Sequence, residues 1–171
     1  MKTDTIILSI HPSHIEKILS GEKRYEYRKR IPTDIRYIVV YATAPIKMIV
    51  AFIEIDSVIK GTPKEVWDKT KNHSGISEDY FMHYFANCQD SYAIKFKAVH
   101  ELLSPKPLTD LSDHICAPQS YTYLKETIIE LYHKLGTKTV IHNKPILNKS
   151  DRYEPTRDIR CQRQGKRRCS N

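Results

Sequence analysis

The stretch that decides the fold of this chain is Gly21-Glu22-Lys23-Arg24-Tyr25-Glu26-Tyr27-Arg28. If residues 23–30 are extended, side chains two positions apart share one face of a sheet. One face then carries Arg24, Glu26, Arg28 and Arg30, and the other carries Lys23, Tyr25, Tyr27 and Lys29. Because charge on both faces prevents the full burial of either, we expect one face to line a wet cleft. The alternative is a solvated edge strand with surface ion pairs, which contribute little to stability.

The segment before this stretch predicts a strand and a short helix. Residues 6–10, Ile-Ile-Leu-Ser-Ile, form a short apolar run that is typical of a buried strand. Ser13 and Glu16 have the spacing of a capping box, which predicts a helix with Ser13 as its N-cap. Gly21 stands where a glycine is expected after a helix C-terminus. The predicted order is therefore strand, short helix, glycine and charged strand.

Four residues after the predicted helix form a longer motif. Gly21, Lys23, Glu26 and Arg28 form the pattern Gly-x-Lys-x-x-Glu-x-Arg after a strand and a short helix. In this motif, and in the lead-in at residues 8–12, the chain resembles the ASCH domains, a branch of the PUA-like superfamily. The resemblance extends over about residues 5–111. It implies an α+β fold, a small, mostly antiparallel PUA-like β-barrel with peripheral helices. It also implies that the cleft beside the motif holds RNA, or a modified base turned out of its strand.

Length and charge predict one domain followed by a basic tail. The 171 residues are enough for a single domain with its own core. The formal net charge is +8, and residues 144–171 hold nine Lys or Arg against three Asp or Glu, so this segment carries +6 and residues 1–143 carry +2. We therefore predict an ASCH-like domain over residues 1–143 and a flexible basic tail over residues 144–171. A basic patch on the domain must then be local, and residues 23–30 are its best candidate.

The sequence lacks the usual signals of a membrane, secreted or metal-binding protein. No apolar run approaches the ~20 residues of a membrane span, and no secretory signal precedes the first strand, so we expect a cytoplasmic protein. Four cysteines are present without Cys-x-x-Cys spacing, and we expect free thiols at Cys88, Cys116, Cys161 and Cys169. His114 and Cys116 offer at most half of a metal site. We predict neither a metal nor another cofactor.

Hydrophobic periodicity predicts the remaining elements, for a total of about five strands with helices between them. A strand hairpin is predicted over residues 37–42 and 46–58, followed by helices that begin after Thr62 and after Ser77. A further strand is predicted over residues 92–99, and a turn-rich connector at residues 104–107. The last predicted element is a helix whose apolar stripe runs from Leu124 to Leu135.

A binding module is the leading functional hypothesis. Arg28 offers a planar fork that suits a phosphate or a base edge, and Lys23 offers a point charge for the phosphate backbone. Glu26 could hold that fork in place or accept a hydrogen bond from the amino group of a base. The predicted nucleic-acid-binding residues are Lys23, Glu26, Arg28, Arg24, Arg30, Tyr25 and Tyr41. The predicted partner is RNA or another single-stranded nucleic acid, and a regulatory role is left open.

Recognition of a single strand also requires surfaces on which bases can stack. The chain has eleven tyrosines and four phenylalanines, an excess of rings that have one polar end. The candidates for stacking are Tyr25, Tyr27, Tyr41, Tyr121 and Trp67. The alternative is that most of these rings pack at the edge of the barrel.

An enzyme is the second hypothesis, either a ribonuclease or a nucleoside-directed hydrolase that uses the same cleft. Its catalytic residues would be Lys23, Glu26 and His11, with Lys23 stabilising charge on the phosphate and Glu26 or His11 acting as the general base. Some ASCH relatives are similar to amidohydrolases that act on acylated cytidine and use a lysine followed three positions later by a threonine. Glu26 stands at the position of that threonine here, so we do not expect amidohydrolase activity.

Overall fold

The fold is seen in a computed structural model that describes residues 4–112, 114–126 and 128–142. The basic tail predicted over residues 144–171, with Cys161 and Cys169, lies outside the described residues. Within the described part, no helix combines the length and the apolar character that are needed to cross a bilayer.

Strands and helices alternate along the described chain. The strands are β1 Thr5–Ile10, β2 Tyr25–Arg28, β3 Tyr37–Ala42, β4 Met48–Gly61, β5 Ser91–Lys106, β6 Tyr121–Leu124 and β7 Thr137–His142. The helices are α1 Pro12–Leu19, α2 Pro63–Thr70, α3 Glu78–Tyr84 and α4 Ile128–Leu135. Two short 3-10 turns lie at Lys71–His73 and Leu108–Asp110.

One curled sheet organises these elements. Six strands follow the order β2-β5-β4-β3-β1-β6, and β7 also pairs with β5. Strands β1 and β3 are parallel, and the other described pairings are antiparallel. The sheet curls into a half-barrel with helices around it, so the predicted α+β, mostly antiparallel PUA-like architecture is confirmed.

Strand β5 is the longest described strand and pairs with three others. Its residues 92–95 pair with β2, its residues 98–102 pair with β7, and β4 runs along its other edge. The β4–β5 register shifts at three places, between Ile49 and Ala51 and on both sides of Ile55. Extra residues of this kind bend and twist a strand pair, which allows long strands to curl.

Several predicted elements agree with the structure. The hairpin predicted over residues 37–42 and 46–58 is confirmed as β3 and β4. The helices predicted after Thr62 and Ser77 are confirmed as α2 and α3, and each cap side chain accepts a hydrogen bond from a backbone N–H of the first turn. Gly21 follows α1 with a φ of +80°, a conformation that favours glycine, and its N–H donates to the Ile18 carbonyl at 3.1 Å.

Other predicted boundaries were wrong. The charged strand predicted over residues 23–30 is limited to β2, because only residues 25–28 pair with β5. The connector predicted at residues 104–107 is largely the end of β5, where Lys106 pairs with Ile49. Strands β6 and β7 were not predicted at all. They are short, and their partners β1 and β5 are far away in sequence.

The start of α1 also differs from the prediction. Pro12 is the first helical residue and His11 is the N-cap, in place of Ser13. The Nδ1 atom of His11 accepts a hydrogen bond from the Ser13 backbone N–H at 3.3 Å. Proline suits the first helical position because its φ is already helical and it lacks an N–H that would have no helical partner. The imidazole of His11 is therefore fixed at the beginning of the helix.

Three apolar clusters hold the structure together. One face of the sheet packs against Ile15 and Ile18 of α1, and the opposite face packs against Leu131 and Leu135 of α4. The third cluster joins α2 and α3 to β2 and β5 around the fully buried Phe81. The ring of Phe81 has its centroid 4.9 Å from that of Tyr27, 5.0 Å from that of Trp67 and 4.7 Å from that of Phe85. These contacts fix α3 beside the motif.

Candidate functional site

A pocket opens where the motif meets the ends of β1, α1 and α3. The residues that line it are Ser9, His11, His14, Lys23, Glu26, Tyr27, Arg28, Ile76, Tyr80 and Tyr84. Its volume is about 180 Å³. Pockets for drug-sized ligands enclose roughly 300–1,000 Å³, so this one has room for a single ring system such as one nucleobase.

A buried carboxylate between two cations is the main electrostatic feature of the pocket. Glu26 Oε1 lies 3.1 Å from Arg28 Nη2, and Glu26 Oε2 lies 3.6 Å from Lys23 Nζ. Glu26 is 6% exposed and Lys23 is 2% exposed. Buried charges are costly unless they are paired, so these three side chains depend on one another. Together they leave the pocket with one excess positive charge.

Lys23 lies on the same side as Glu26, although the sequence predicts it on the opposite face of the strand. The strand begins at Tyr25, so the alternation of an extended chain does not yet apply at Lys23. The backbone N–H of Lys23 donates to the Lys17 carbonyl at 2.9 Å, which keeps this residue against α1. The turn after α1 therefore directs the lysine towards the carboxylate.

Arg28 connects the motif to the first strand. Its Nη2 donates to the Ser9 carbonyl at 2.7 Å as well as to Glu26. Among the described residues, its buried Nε has no hydrogen-bond partner. Ser9 in turn donates from Oγ to the Pro118 carbonyl at 2.6 Å, and its N–H donates to the Ser120 carbonyl at 3.2 Å. Ser9 therefore links the arginine to the loop that precedes β6.

Lys23 is covered by a segment that we call the strap, residues Ser74, Gly75 and Ile76. Lys23 Nζ donates to the Ser74 carbonyl at 3.1 Å and lies 4.7 Å from the centroid of the Tyr27 ring. Burial lowers the pKa of the Lys23 ammonium group, and the neighbouring Glu26 carboxylate opposes that effect. The outer side of the strap is fixed by Lys17, whose Nζ donates to the Gly75 carbonyl at 2.7 Å.

Gly75 allows the strap to approach Lys23 this closely. Its φ is +65°, and a Cβ atom at this position would lie 2.6 Å from Lys23 Cβ. Gly21 provides a matched comparison, because its φ is +80° but a Cβ there would meet nothing within 4 Å.

We predict that Gly75→Ala destabilises the protein more than Gly21→Ala. Both changes force a side chain into the left-handed region, which costs about 1–2 kcal/mol. Only Gly75→Ala adds a clash with Lys23, and overpacking of this kind costs about 1–3 kcal/mol more. Urea unfolding of the two variants measures the difference. Equal losses of stability would show that the strap can move away from Lys23 at no cost.

Two histidines, His11 and His14, lie near the charged triad formed by Lys23, Glu26 and Arg28. Nδ1 of His11 is engaged by Ser13, which leaves Nε2 as the ring nitrogen available to a ligand. His14 follows one turn later in α1 and is half-buried, with its ring centroid 6.4 Å from that of His11 and 6.0 Å from that of Tyr80. Burial lowers the pKa of His14, Glu26 opposes that shift, and the positive charge of Lys23 adds to it. His14 is therefore neutral at pH 7.

We predict that His14 makes the folded protein less stable as the pH falls below about 6.5, the ordinary pKa of histidine. The unfolded chain takes up a proton on His14 near that pH, whereas the folded chain does so only at lower pH. Because the unfolded state then binds more protons, the free energy of unfolding decreases as the pH falls. His14→Gln removes this component. Urea unfolding at pH 7.5, 6.5 and 5.5 tests it, and parallel pH profiles for wild type and variant would contradict it.

The structure brings four of the predicted binding and catalytic residues into the pocket, namely Lys23, Glu26, Arg28 and His11, together with Tyr27, one of the predicted stacking rings. Arg30 is exposed and lies in a neighbouring depression together with Arg28, Lys29 and Tyr84.

Three other predicted residues do not line the pocket. Tyr25 packs beside the α2–α3 cluster, and Tyr41 is 7% exposed in the core under α4. Arg24 is half-buried, and its backbone N–H donates to the His73 carbonyl at 2.9 Å.

Five residues that line the pocket were not predicted from the sequence, namely Ser9, His14, Ile76, Tyr80 and Tyr84. The helix predicted after Ser77 contains Tyr80 and Tyr84, and its hydrophobic spacing predicts that both belong to its apolar stripe with Phe81 and Phe85. In the structure Phe81 and Phe85 form that stripe, whereas Tyr80 is 54% exposed. The signal was present, because Tyr80 and Tyr84 are one helical turn apart and each carries a polar end. His14 likewise lies one turn after His11, the N-cap of the same short helix.

No group of three His, Cys, Asp or Glu side chains in the described part of the chain is arranged to hold a metal ion. Cys88 and Cys116 are free thiols.

The curled sheet, the Gly-x-Lys-x-x-Glu-x-Arg motif and the pocket beside it define a protein of the ASCH type. The family model for the ASCH domain matches residues 8–100. The chain belongs to the ASCH domain family.

Two known proteins are similar to this chain in sequence. An ASCH domain-containing ribonuclease of Zymomonas mobilis is 27% identical over 125 residues, which cover 70% of this chain and 84% of that protein. The large ribosomal subunit protein uL22 of Ureaplasma parvum is 26% identical over 125 residues, and the match spans 72% of this chain but 40% of the ribosomal protein.

Solved structures agree with the fold. The crystal structure of ASCH from Zymomonas mobilis superposes with a TM-score of 0.69 at 25% identity, covering 79% of this chain and 96% of that one. A mutant ASCH protein from the same organism gives a TM-score of 0.70 at 24% identity, with 79% of this chain and 99% of that chain covered.

Proposed function

We propose that this ASCH domain binds single-stranded RNA and takes one base into the pocket beside the motif, with its phosphate near Arg28. One observation carries the proposal: a cavity of about 180 Å³ combines the buried Lys23 and the partly buried Arg28 with aromatic walls. Single-stranded RNA is recognised by this combination, because phosphates require positive charge and unstacked bases require flat rings.

The charges of the site suit an anion. The triad of Lys23, Glu26 and Arg28 has one excess positive charge, and Lys29 and Arg30 continue the positive charge outside the pocket. Residues 1–143 as a whole carry only +2, so the concentration of cations here is a local feature. A phosphate near Arg28 would gain a charge-assisted hydrogen bond.

The walls of the pocket suit a base. Tyr80 and Tyr84 lie on α3, and His14 faces Tyr80 edge-on from α1. Tyr27 has its hydroxyl occupied, since it donates to Thr70 Oγ1 at 2.9 Å, and so offers mainly its ring. Hydrogen bonds to the base edge would come from His11 Nε2 and from the Arg28 guanidinium group.

Glu26 acts as a positioning residue in this proposal. Its two oxygens face Arg28 and Lys23, so neither is left free to act mainly on a ligand. The carboxylate instead offsets the cost of burying two cations and holds the guanidinium plane of Arg28. The name of the ribonuclease relative from Zymomonas mobilis supports RNA as the ligand class.

We predict that Arg28→Ala weakens the binding of labelled homo-heptaribonucleotides by about 1.5–3 kcal/mol, the usual contribution of a hydrogen bond to a charged group. Fluorescence polarisation of the full chain measures this, with circular dichroism to confirm folding. Wild-type affinity is expected to fall as salt rises, because counterions are released when phosphates are neutralised.

The matched control is Lys97→Ala, which removes one positive charge from an exposed position on β5 where Lys97 pairs with Glu54. We expect this variant to bind RNA like the wild type. Equal binding by the wild type and Arg28→Ala would place the RNA elsewhere, for example on the basic residues 144–171, and would contradict the proposal.

Cleavage of the bound RNA is the second candidate function, favoured by the two histidines. Neutral His14 could accept a proton from a ribose 2′-hydroxyl, while the imidazolium form of His11, with its Nδ1–H directed to Ser13 Oγ, donates its Nε2 proton to the departing 5′-oxygen. The 2′-oxygen would then bond to phosphorus as the bond to the 5′-oxygen breaks, which yields a 2′,3′-cyclic phosphate and a 5′-hydroxyl. Lys23 and Arg28 would stabilise the charge that develops on the phosphate.

We predict that, if the pocket cleaves RNA, His14→Gln abolishes cleavage while binding is retained. Glu26→Gln should weaken binding and cleavage together, because it acts through Arg28. Gel analysis of an end-labelled RNA, with a 2′-deoxy version as the control substrate, measures both. RNA that stays intact after long incubation would contradict cleavage and would support a function in binding alone. Cleavage that survives His14→Gln would exclude this role for His14.

A further inference from the structure

We propose that the nucleotides beside the one in the pocket follow a track, which we define as Lys29, Arg30, Gln119, Tyr121 and Tyr123. The track begins at Arg28 on the rim of the pocket and ends on the edge strand β6. This inference rests on the proposed function and adds to it, because it assigns a second part of the RNA-binding surface and a role for β6.

The surface is continuous from the pocket to β6. The pocket and the first depression beyond it share Arg28 and Tyr84. That depression and the next one share Gln119, Ser120 and Tyr121. A strand that leaves the pocket over Arg28 therefore meets a groove without crossing a ridge of unrelated residues.

The first part of the track is electropositive. Arg28, Lys29 and Arg30 line the first depression, and no carboxylate is found among its described lining residues. Lys29 and Arg30 are exposed, and neither forms an ion pair within the described ranges. Lys29 Nζ lies 5.1 Å from the centroid of the Tyr84 ring, so its charge stays near the pocket rim. Unpaired cations beside a recognition pocket suit the phosphates of a continuing strand.

The second part of the track offers rings for stacking. Tyr121 and Tyr123 are two positions apart on β6, so they share one face of the strand. Their ring centroids lie 6.1 Å apart at an interplanar angle of 87°. Tyr123 is 47% exposed, so part of its ring is accessible to a ligand. Such a ring on a groove floor suits an unstacked base.

The track is held in a fixed position relative to the pocket. Strand β6 pairs with β1, where Leu8 lies opposite Tyr121. Ser9 then connects both parts, because its carbonyl accepts from Arg28 and its N–H and Oγ donate to the carbonyls of Ser120 and Pro118. The rings of β6 and the guanidinium group of Arg28 are therefore supported by one short segment of β1.

The test compares ligands of two lengths. Nucleoside 5′-monophosphates fill only the pocket, whereas homo-heptaribonucleotides also reach the track. We expect the wild-type protein to bind the heptamer at least tenfold more tightly than the monophosphate of the same base. Tyr123→Ala should weaken heptamer binding about tenfold, as the loss of one stacked base does, and should leave monophosphate binding unchanged.

Conservative variants provide the controls. Tyr123→Phe keeps the ring and should bind the heptamer within twofold of the wild type. Arg30→Ala should reduce the salt dependence of heptamer binding by about one phosphate contact, whereas Arg30→Lys and Lys97→Ala should keep it. Heptamers of the same sequence made of DNA show whether the track distinguishes the two sugars.

Each failure has its own signature. If the wild type binds neither ligand, the proposed function is wrong, and the proposed track is wrong as well. If it binds both ligands equally, or if Tyr123→Ala keeps the full preference for the heptamer, the pocket is retained and the track is wrong. A loss of monophosphate binding in Tyr123→Ala would also overturn the proposal, because Tyr123 would then act through the structure of the pocket.

Discussion

The pocket depends on one carboxylate, that of Glu26, which stands between Lys23 and Arg28. Each cation is also held by a backbone carbonyl from another part of the chain, Ser74 for Lys23 and Ser9 for Arg28. The motif therefore joins β1, β2 and the strap through one system of charges. Because charges buried this deeply are stable only as a set, the walls of the pocket cannot be changed independently. This explains how a strand of four residues can organise a whole site.

Much of the fold could be predicted from local pattern. The strand, short helix, glycine and charged strand are adjacent in sequence, and the β3–β4 hairpin is a local pairing, so their signals are complete within a short window. Strands β6 and β7 gave no such signal. A four-residue strand such as β6 is stable only because β1 lies beside it, more than one hundred residues earlier in the chain. Pattern analysis of a short window cannot contain that information.

The sequence predicted those residues of the site that belong to a local motif, and it missed those that depend on tertiary packing. The motif identified Lys23, Glu26 and Arg28, but the side of the strand on which Lys23 lies depends on a turn that alternation does not describe. The sequence predicts stacking at Tyr41 and not at Tyr84, yet β3 is covered on both faces, whereas Tyr84 lies on the face of α3 that lines the pocket. Tyrosine, with an apolar ring and a polar end, suits both environments. Only the tertiary packing separates the two.

Strand β7 has a consequence for the way in which this chain can be shortened. It covers residues 98–102 on the same edge of β5 that β2 occupies at residues 92–95. An uncovered strand edge offers its N–H and C=O groups to any other chain and promotes edge-to-edge aggregation. A protein that ended before Thr137 would expose this edge on the strand that also supports the motif. Copies of such a protein would pair through their exposed β5 edges. The shortest usable form of the domain would therefore be limited by its solubility more than by the stability of the monomer.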